Sequence, residues 1–132
     1  MKRYVLLSML AVSVLCAQEE KKTADKNAVK KQFVYVLKLR PDLLKVENWK
    51  EADNAAVGRH FNYLKGLLTD GTLIFAGRTD VMNENTFGIA VFWASDENEA
   101  KKIMEGDAAV QAGVMTAQLL PFKVALIQNN SK

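Results

Sequence analysis

The sequence has few of the residues on which metal and catalytic sites most often depend. Its 132 residues include one cysteine, Cys16, and one histidine, His60. Zinc sites take several histidine or cysteine ligands, so we expect no metal at this protein's functional site. The glycines do not form the GxGxxG or GxxxxGK patterns of phosphate-binding loops, and no Gly-x-Ser-x-Gly turn presents a nucleophilic serine. We therefore expect no cofactor, and acid/base chemistry is favoured over nucleophilic chemistry.

The chain carries no large excess of charge of one sign. Its formal net charge is +3, and two of the positive charges, Lys2 and Arg3, lie in an N-terminal segment that we expect to be removed. The rest is nearly neutral and shows no basic stripe, which argues against a nucleic-acid partner. An apolar fraction of 49% and a charged fraction of 25% are typical of a folded globular protein. The length suits one domain with a sizeable core.

The first seventeen residues have the order of a secretory signal peptide. A positively charged start precedes the apolar run Tyr4–Leu15, and Ala17 offers a small residue for cleavage. This run is shorter than the roughly 20 residues that span a bilayer, so a retained membrane anchor is the weaker interpretation. Lipid attachment at Cys16 is a rival, although Leu15 stands where that processing takes a small residue. We expect an exported protein, periplasmic or secreted, cleaved near Ala17.

The rest of the chain divides into a polar tether at 18–31, one domain at 32–128 and a polar tail at 129–132. Within the domain, hydrophobic patterns predict strands at 33–39, 73–76 and 87–94, and a last strand at 114–127 that bends or divides at Pro121. They predict helices at about 53–68 and from Ser95, and a lead-in with a helical turn or two at 42–53. The order is that of a ferredoxin-like βαββαβ fold. Such an α+β domain has an antiparallel sheet with both helices on one face. Its uncovered face predicts a homodimer packed sheet to sheet.

Four short motifs, in order, are similar to those of the YciI-like (YCII-related) family. They are HFNYL…LLTDGTL…AG from His60 to Gly77, SDENEA from Ser95, GDAAVQAGV from Gly106, and Pro121-Phe122. The resemblance covers about Phe33 to Ile127. It implies a dimeric α+β barrel of ferredoxin-like subunits, with a pocket between helix and sheet. It also implies an active-site pair of histidine and aspartate, which falls on His60 and Asp107.

Two departures from the family pattern lie beside the implied pocket. The family's Asp-Pro is Asp107-Ala108 here, and its Gly-Pro after the second strand is Gly77-Arg78. Both losses loosen loops near the site and leave the placement of Asp107 open. Arg78 is a candidate anion-binding residue, although an exposed loop arginine is the commoner case.

The chemistry of the pair has a simple alternative. An aspartate that fixes one histidine nitrogen leaves the other as a general acid or base near neutral pH. Alternatively, His60 is a half-buried helix residue bonded to a carbonyl, and Asp107 caps the turn that follows it. Tyr35 and Tyr63 have polar tips on apolar bodies, and we expect them to contact a substrate.

Two functions remain open at this level. The first is an exported small-molecule enzyme of lyase or isomerase type with His60 and Asp107 as its dyad. The second is a non-catalytic dimer that binds a small ligand or a partner.

Overall fold

The computed structural model describes residues 29–128, so the expected signal peptide, most of the tether and the C-terminal tail at 129–132 lie outside the described residues. Four strands and three helices follow one another in this part of the chain. They are β1 (Lys31–Leu39), α1 (Glu51–Thr69), β2 (Leu73–Arg78), β3 (Gly88–Ala94), α2 (Glu97–Glu105), α3 (Ala108–Gln111) and β4 (Met115–Pro121). The predicted ferredoxin-like α+β fold is confirmed.

The four strands form one sheet in the order β2-β3-β1-β4, and every neighbouring pair is antiparallel. The two central strands, β1 and β3, have the most apolar sequences. This is expected of central strands, because strands with covered faces consist mainly of apolar residues. Phe33 stands opposite Phe92 in this pair, and their rings lie 6.2 Å apart. The centre of the sheet thus supplies most of the core.

The helices pack on one face of the sheet. Buried residues of β1 and β3 contact Leu64 of α1 and Ala100 of α2, and a second cluster joins Ala56 of α1 to Ala109 of α3. Small alanines at these contacts let the helices approach the strands closely. The other sheet face carries a row of opposed residues across all four strands: Phe75, Val91, Val34 and Leu120. Its outer members are 36% and 40% exposed, whereas the two valines are buried.

An irregularity in β2 changes which of its residues face the helices. Leu73 pairs with Phe92 and Phe75 with the next residue, Val91, so Ile74 is an extra residue in the ladder. Such a bulge reverses the alternation of the side chains that follow it. Leu73 faces the helices before the bulge, and even-numbered residues face them after it. The pairing continues to Arg78 opposite Gly88, in the same row as Leu37 of β1.

The boundaries differ from the predicted ones in three places. The last strand ends at Pro121, and residues 122–128 have no regular structure, so the predicted continuation to Ile127 is wrong. Proline has no amide hydrogen for a ladder, which explains the end point. The helix α1 starts at Glu51 and β2 runs on to Arg78. The lead-in does contain two helical turns, at Pro41–Leu44 and Val46–Asn48. Within residues 29–128, no helix is long and apolar enough to cross a membrane.

Candidate active site

His60 lies near the middle of α1, and its side chain is 12% exposed. In the first turn of the helix, the carboxylate of Asp53 accepts the amide of Lys50 and so holds the free end of that turn. It ends after Thr69, where Gly71 takes the left-handed conformation (φ 80°) that the Asp70-Gly71 pair predicts. Both ends are therefore fixed, and His60 is held at a defined height over the sheet.

Asp107 is fully buried and directly contacts His60. The Nδ1 atom of His60 lies 2.8 Å from Oδ1 and 2.7 Å from Oδ2 of Asp107. Asp107 also caps the short helix α3, because its Oδ1 accepts the amide of Ala109 at 3.0 Å. The sequence allowed Asp107 to be a cap, the partner of His60 or both, and in the structure one carboxylate makes both contacts. Since a carboxylate only accepts hydrogen bonds, Nδ1 carries the hydrogen and Nε2 is the ring's other nitrogen.

A third group completes the surroundings of Asp107. The hydroxyl of Tyr35, from the centre of β1, donates a hydrogen bond to Asp107 Oδ2 at 2.9 Å. Tyr35 is fully buried, with its ring 5.6 Å from that of Phe92. Burial raises the pKa of the phenol far above its ordinary value, and the negative charge and hydrogen bond of Asp107 add to the effect. Tyr35 therefore remains a hydrogen-bond donor. Three groups hold the Asp107 carboxylate in place: the phenol of Tyr35, the imidazole of His60 and the backbone amide of Ala109.

The second predicted substrate contact, Tyr63, has a similar supporting position. It donates to the carbonyl of Ile103 at 2.8 Å, at the end of α2. Burial raises the pKa of Tyr63, with a smaller contribution from the charge of Asp107. A side chain at Gly106 would come within 2.9 Å of the Tyr63 hydroxyl, so the residue before Asp107 packs tightly against this phenol. Neither Tyr35 nor Tyr63 lies on the wall of the cavity described next, although the sequence predicts substrate contact for both.

A cavity of about 520 Å³ opens between α1 and the adjoining ends of the strands, with His60 in its wall. Its volume is in the range of small-molecule sites. The wall is mainly apolar and comes from both layers; it includes Leu37, Trp49, Leu64, Phe87, Ile89 and Met115. Because Nδ1 is bound to Asp107, Nε2 is the histidine nitrogen left for a molecule in this cavity.

Arg78 also lies in the cavity wall, at the end of β2. The structure thus brings two of the predicted site residues, His60 and Arg78, to one cavity, and Asp107 lies directly behind the first. Among residues 29–128, no group of three or more histidine, cysteine, aspartate or glutamate side chains is placed to hold a metal ion.

Two features of the site are not predicted from the sequence. The bond between Tyr35 and Asp107 joins residues 72 positions apart. The only hint is that a tyrosine in the middle of an apolar strand needs a polar partner when it is buried. The bulge at Ile74 has no sequence signal, because it depends on pairing between strands.

The fold agrees with the comparison with known families. Residues 32–123 match the model of the YCII-related domain, and the chain belongs to that family. No curated protein is significantly similar to it in sequence.

Two solved structures are similar to this chain, and the first of them shares its fold. One is 5-chloro-2-hydroxyhydroquinone dehydrochlorinase from Burkholderia phenoliruptrix AC1100, in complex with 2,5-dihydroxybenzoquinone; it is 23% identical, with a TM-score of 0.51, and the match covers 70% of this chain and 93% of that one. The other is the uncharacterized protein TM1266 from Thermotoga maritima, 14% identical with a TM-score of 0.48, where the match covers 72% of this chain and all of that one.

Proposed function

We propose that this protein is an enzyme acting on a small molecule, with His60 as general acid/base and Asp107 as its orienting partner. The observation that carries the proposal is the contact of 2.7 Å between His60 Nδ1 and the buried Asp107 carboxylate, on the wall of an apolar cavity. Asp107 keeps the hydrogen on Nδ1, so Nε2 presents a lone pair. A lone pair at this place is what proton abstraction requires.

The chemistry follows from this arrangement as a proton transfer in two stages. Nε2 takes a proton from a substrate carbon or hydroxyl, and the resulting imidazolium is stabilised by the carboxylate behind it. The same proton then goes to a leaving group, which gives an elimination, or to another atom of the substrate, which gives an isomerisation. The largely apolar wall lowers the local polarity around His60, which strengthens its charge interaction with Asp107.

One reaction of this class comes from the name of the Burkholderia protein, a dehydrochlorinase. Loss of HCl is an elimination and needs one base and an exit for chloride. We take 5-chloro-2-hydroxyhydroquinone as the first compound to assay, with chloride release as the signal. Hydroxylated aromatics without chlorine, monitored for proton exchange in D₂O, extend the test to isomerisation.

The first experiment reads the site without a substrate. The chain has one histidine, so ¹⁵N spectra of the untagged protein give a single pair of ring signals. We expect the neutral ring to carry its hydrogen on Nδ1, and Asp107→Asn to move it to Nε2, because the new amide would donate to Nδ1. A ring with its hydrogen on Nε2 in the unchanged protein would contradict the proposal.

The second experiment measures turnover. His60→Gln removes the base while it retains a polar side chain of similar length, and we expect it to abolish product formation without altering the circular dichroism spectrum. A variant as active as the parent would refute the acid/base role. Binding without turnover in both proteins would instead favour the second function, a non-catalytic ligand-binding module.

We also propose that two copies pack through the sheet face opposite the helices. The support is the row from Phe75 to Leu120, with two apolar residues at its ends that are more than a third exposed. Leu120→Glu should convert a dimer to a monomer in light scattering, and a monomeric parent protein would contradict this.

Export of the protein stays part of the proposal, and N-terminal sequencing of the mature chain would test it.

A further inference from the structure

The cavity beside His60 has a pronounced imbalance of charge. Arg78 and His60 are its only ionisable wall residues within the described chain, and no acidic residue lines it. Of the other polar groups, the indole of Trp49 donates to the carbonyl of Leu43, and the hydroxyl of Thr86 is bonded to the carbonyl of Val81. The free polar groups for a ligand are therefore the guanidinium of Arg78 and the Nε2 atom of His60.

Arg78 has no acidic partner among residues 29–128. The ion pairs in this part of the chain join other residues, and the one hydrogen bond of the Arg78 guanidinium goes to the neighbouring carbonyl of Thr79 at 3.4 Å. Arg40 is the contrasting case, because its guanidinium contacts both Asp42 and Asp53. A guanidinium has five donors arranged for a planar oxyanion, and those of Arg78 are largely unused.

The position of Arg78 follows from the irregular strand that carries it. The extra residue Ile74 shifts the alternation of β2, so that Ala76 and Arg78 follow it on the helix side. Without the extra residue, Gly77 would have that side and Arg78 would face away from the cavity. Gly88 stands opposite Arg78 in the ladder, in the row that continues to Leu37 of β1.

From these observations we propose that the cavity binds a small apolar monocarboxylate, whose carboxylate pairs with Arg78 while its apolar body fills the cavity. One cation matches one negative charge, and a planar fork matches a carboxylate. The apolar body contacts residues such as Leu37, Leu64 and Met115 and lies beside His60. This proposal rests on the proposed function in taking the cavity as the substrate site. It adds the class of molecule that enters.

The test compares two probes of nearly equal shape, 2-naphthoate and its neutral analogue 2-naphthamide, by calorimetry at neutral pH. We expect naphthoate to bind at least about fivefold more tightly, the range for a charge-assisted bond that is partly open to water. Arg78→Gln should remove this preference and leave the affinity for naphthamide unchanged. Arg78→Lys should retain part of it.

Arg59→Gln is the matched control, because it makes the same change of charge on the residue beside His60. Arg59 is exposed and lies outside the cavity wall, so the preference for naphthoate should persist. An equal loss in this variant would mean that general charge attraction causes the preference, which would overturn the proposal. Absence of binding by either probe at millimolar concentration would also overturn it, as would tighter binding of 2-naphthyl phosphate than of naphthoate.

His60→Gln separates this proposal from the proposed function. We expect that variant to lose turnover and keep its preference for naphthoate. If His60→Gln loses the preference while Arg78→Gln keeps it, the anion site is wrongly assigned and the acid/base role is untouched. If no turnover is found in any variant but Arg78→Gln abolishes the preference, the acid/base role fails and the anion site stands.

Discussion

Two buried aspartates at helix starts, Asp53 and Asp107, each accept a backbone amide, and they differ in the side chain that each one also binds. Asp53 is 7% exposed, accepts the amide of Lys50 and pairs with Arg40 at 3.3 Å. Asp107 is fully buried and bonds His60 in place of a permanent cation. The arginine partner of a carboxylate is always charged. An imidazole partner is charged only when it is protonated, and the carboxylate then stabilises that charge.

The two sites also differ in the surroundings of the partner side chain, Arg40 in one case and His60 in the other. Arg40 is bound by Asp42 as well, and the hydrogen bond with Asp42 raises the pKa of the guanidinium further. The guanidinium joins Asp42 and Asp53 at the start of α1 and also donates to the carbonyl of Gly113 at 3.4 Å, so its contacts stabilise the fold. The partner of Asp107 has a second nitrogen on a cavity. A capping carboxylate thus becomes functional when its other partner is titratable and borders a space for a ligand.

The largest expected effect comes from Asp107→Asn. The amide would turn the His60 ring so that its hydrogen is on Nε2, and the base would be lost. We expect turnover to fall by about 10³-fold or more, as when a histidine is held in the wrong tautomer. Steady-state kinetics on whichever substrate the chloride or exchange assays identify would measure it. The matched change, Asp53→Asn, should leave turnover within about twofold, and an equal fall in both would erase the functional distinction.

The next largest effect is on the pH dependence of stability and comes from Tyr35, which donates a hydrogen bond to Asp107. Its pKa is raised in the folded protein, so the phenol contributes stability below its unfolded pKa of about 10. That contribution is lost as the pH rises above 10, because the unfolded chain releases the proton first. We expect the free energy of unfolding of the parent to fall more steeply between pH 9 and 11 than that of Tyr35→Phe, by up to about 1.4 kcal/mol per pH unit.

Urea unfolding at several pH values checks this prediction. Tyr63, whose pKa is also raised, remains in both proteins and serves as an internal reference for the residual slope. Identical slopes in the parent and in Tyr35→Phe would show that burial and Asp107 do not hold the phenol in its protonated form.

The smallest effect should be on the stability of Asp53→Asn. The new side chain can still accept the amide of Lys50, and it loses only the charge interaction with the half-exposed Arg40. We expect a loss of about 0.5–1 kcal/mol in the free energy of unfolding, the usual value of such pairs. Chemical denaturation measures it. A loss above about 3 kcal/mol would place Asp53, with Asp107, among residues whose removal leaves a buried group unpaired.

Much of the fold is predictable because its signals are local. The apolar strands 33–39 and 87–94, the Asp70-Gly71 stop and the aspartate caps each depend on a few neighbouring residues. The extent of β2 and the end of β4 depend on pairing with other strands, and there the prediction fails. For the site, His60 and Asp107 come from the family resemblance, since no local pattern joins residues 47 positions apart. The role of Tyr35 needs the tertiary structure, because its partner lies on another layer.

The extra residue at Ile74 has a consequence for how this cavity can diversify. In a regular strand, a change of ligand chemistry needs a substitution at the position that faces the cavity. Here the loss of one residue from β2 would exchange the positions of Gly77 and Arg78 relative to the sheet, with every other residue retained. Arg78 would then lie on the sheet face opposite the helices, and the cavity would lose its permanent cation. An insertion or deletion in β2 can therefore change the charge of the ligand that the cavity accepts, while His60 on α1 and Asp107 before α3 stay as they are.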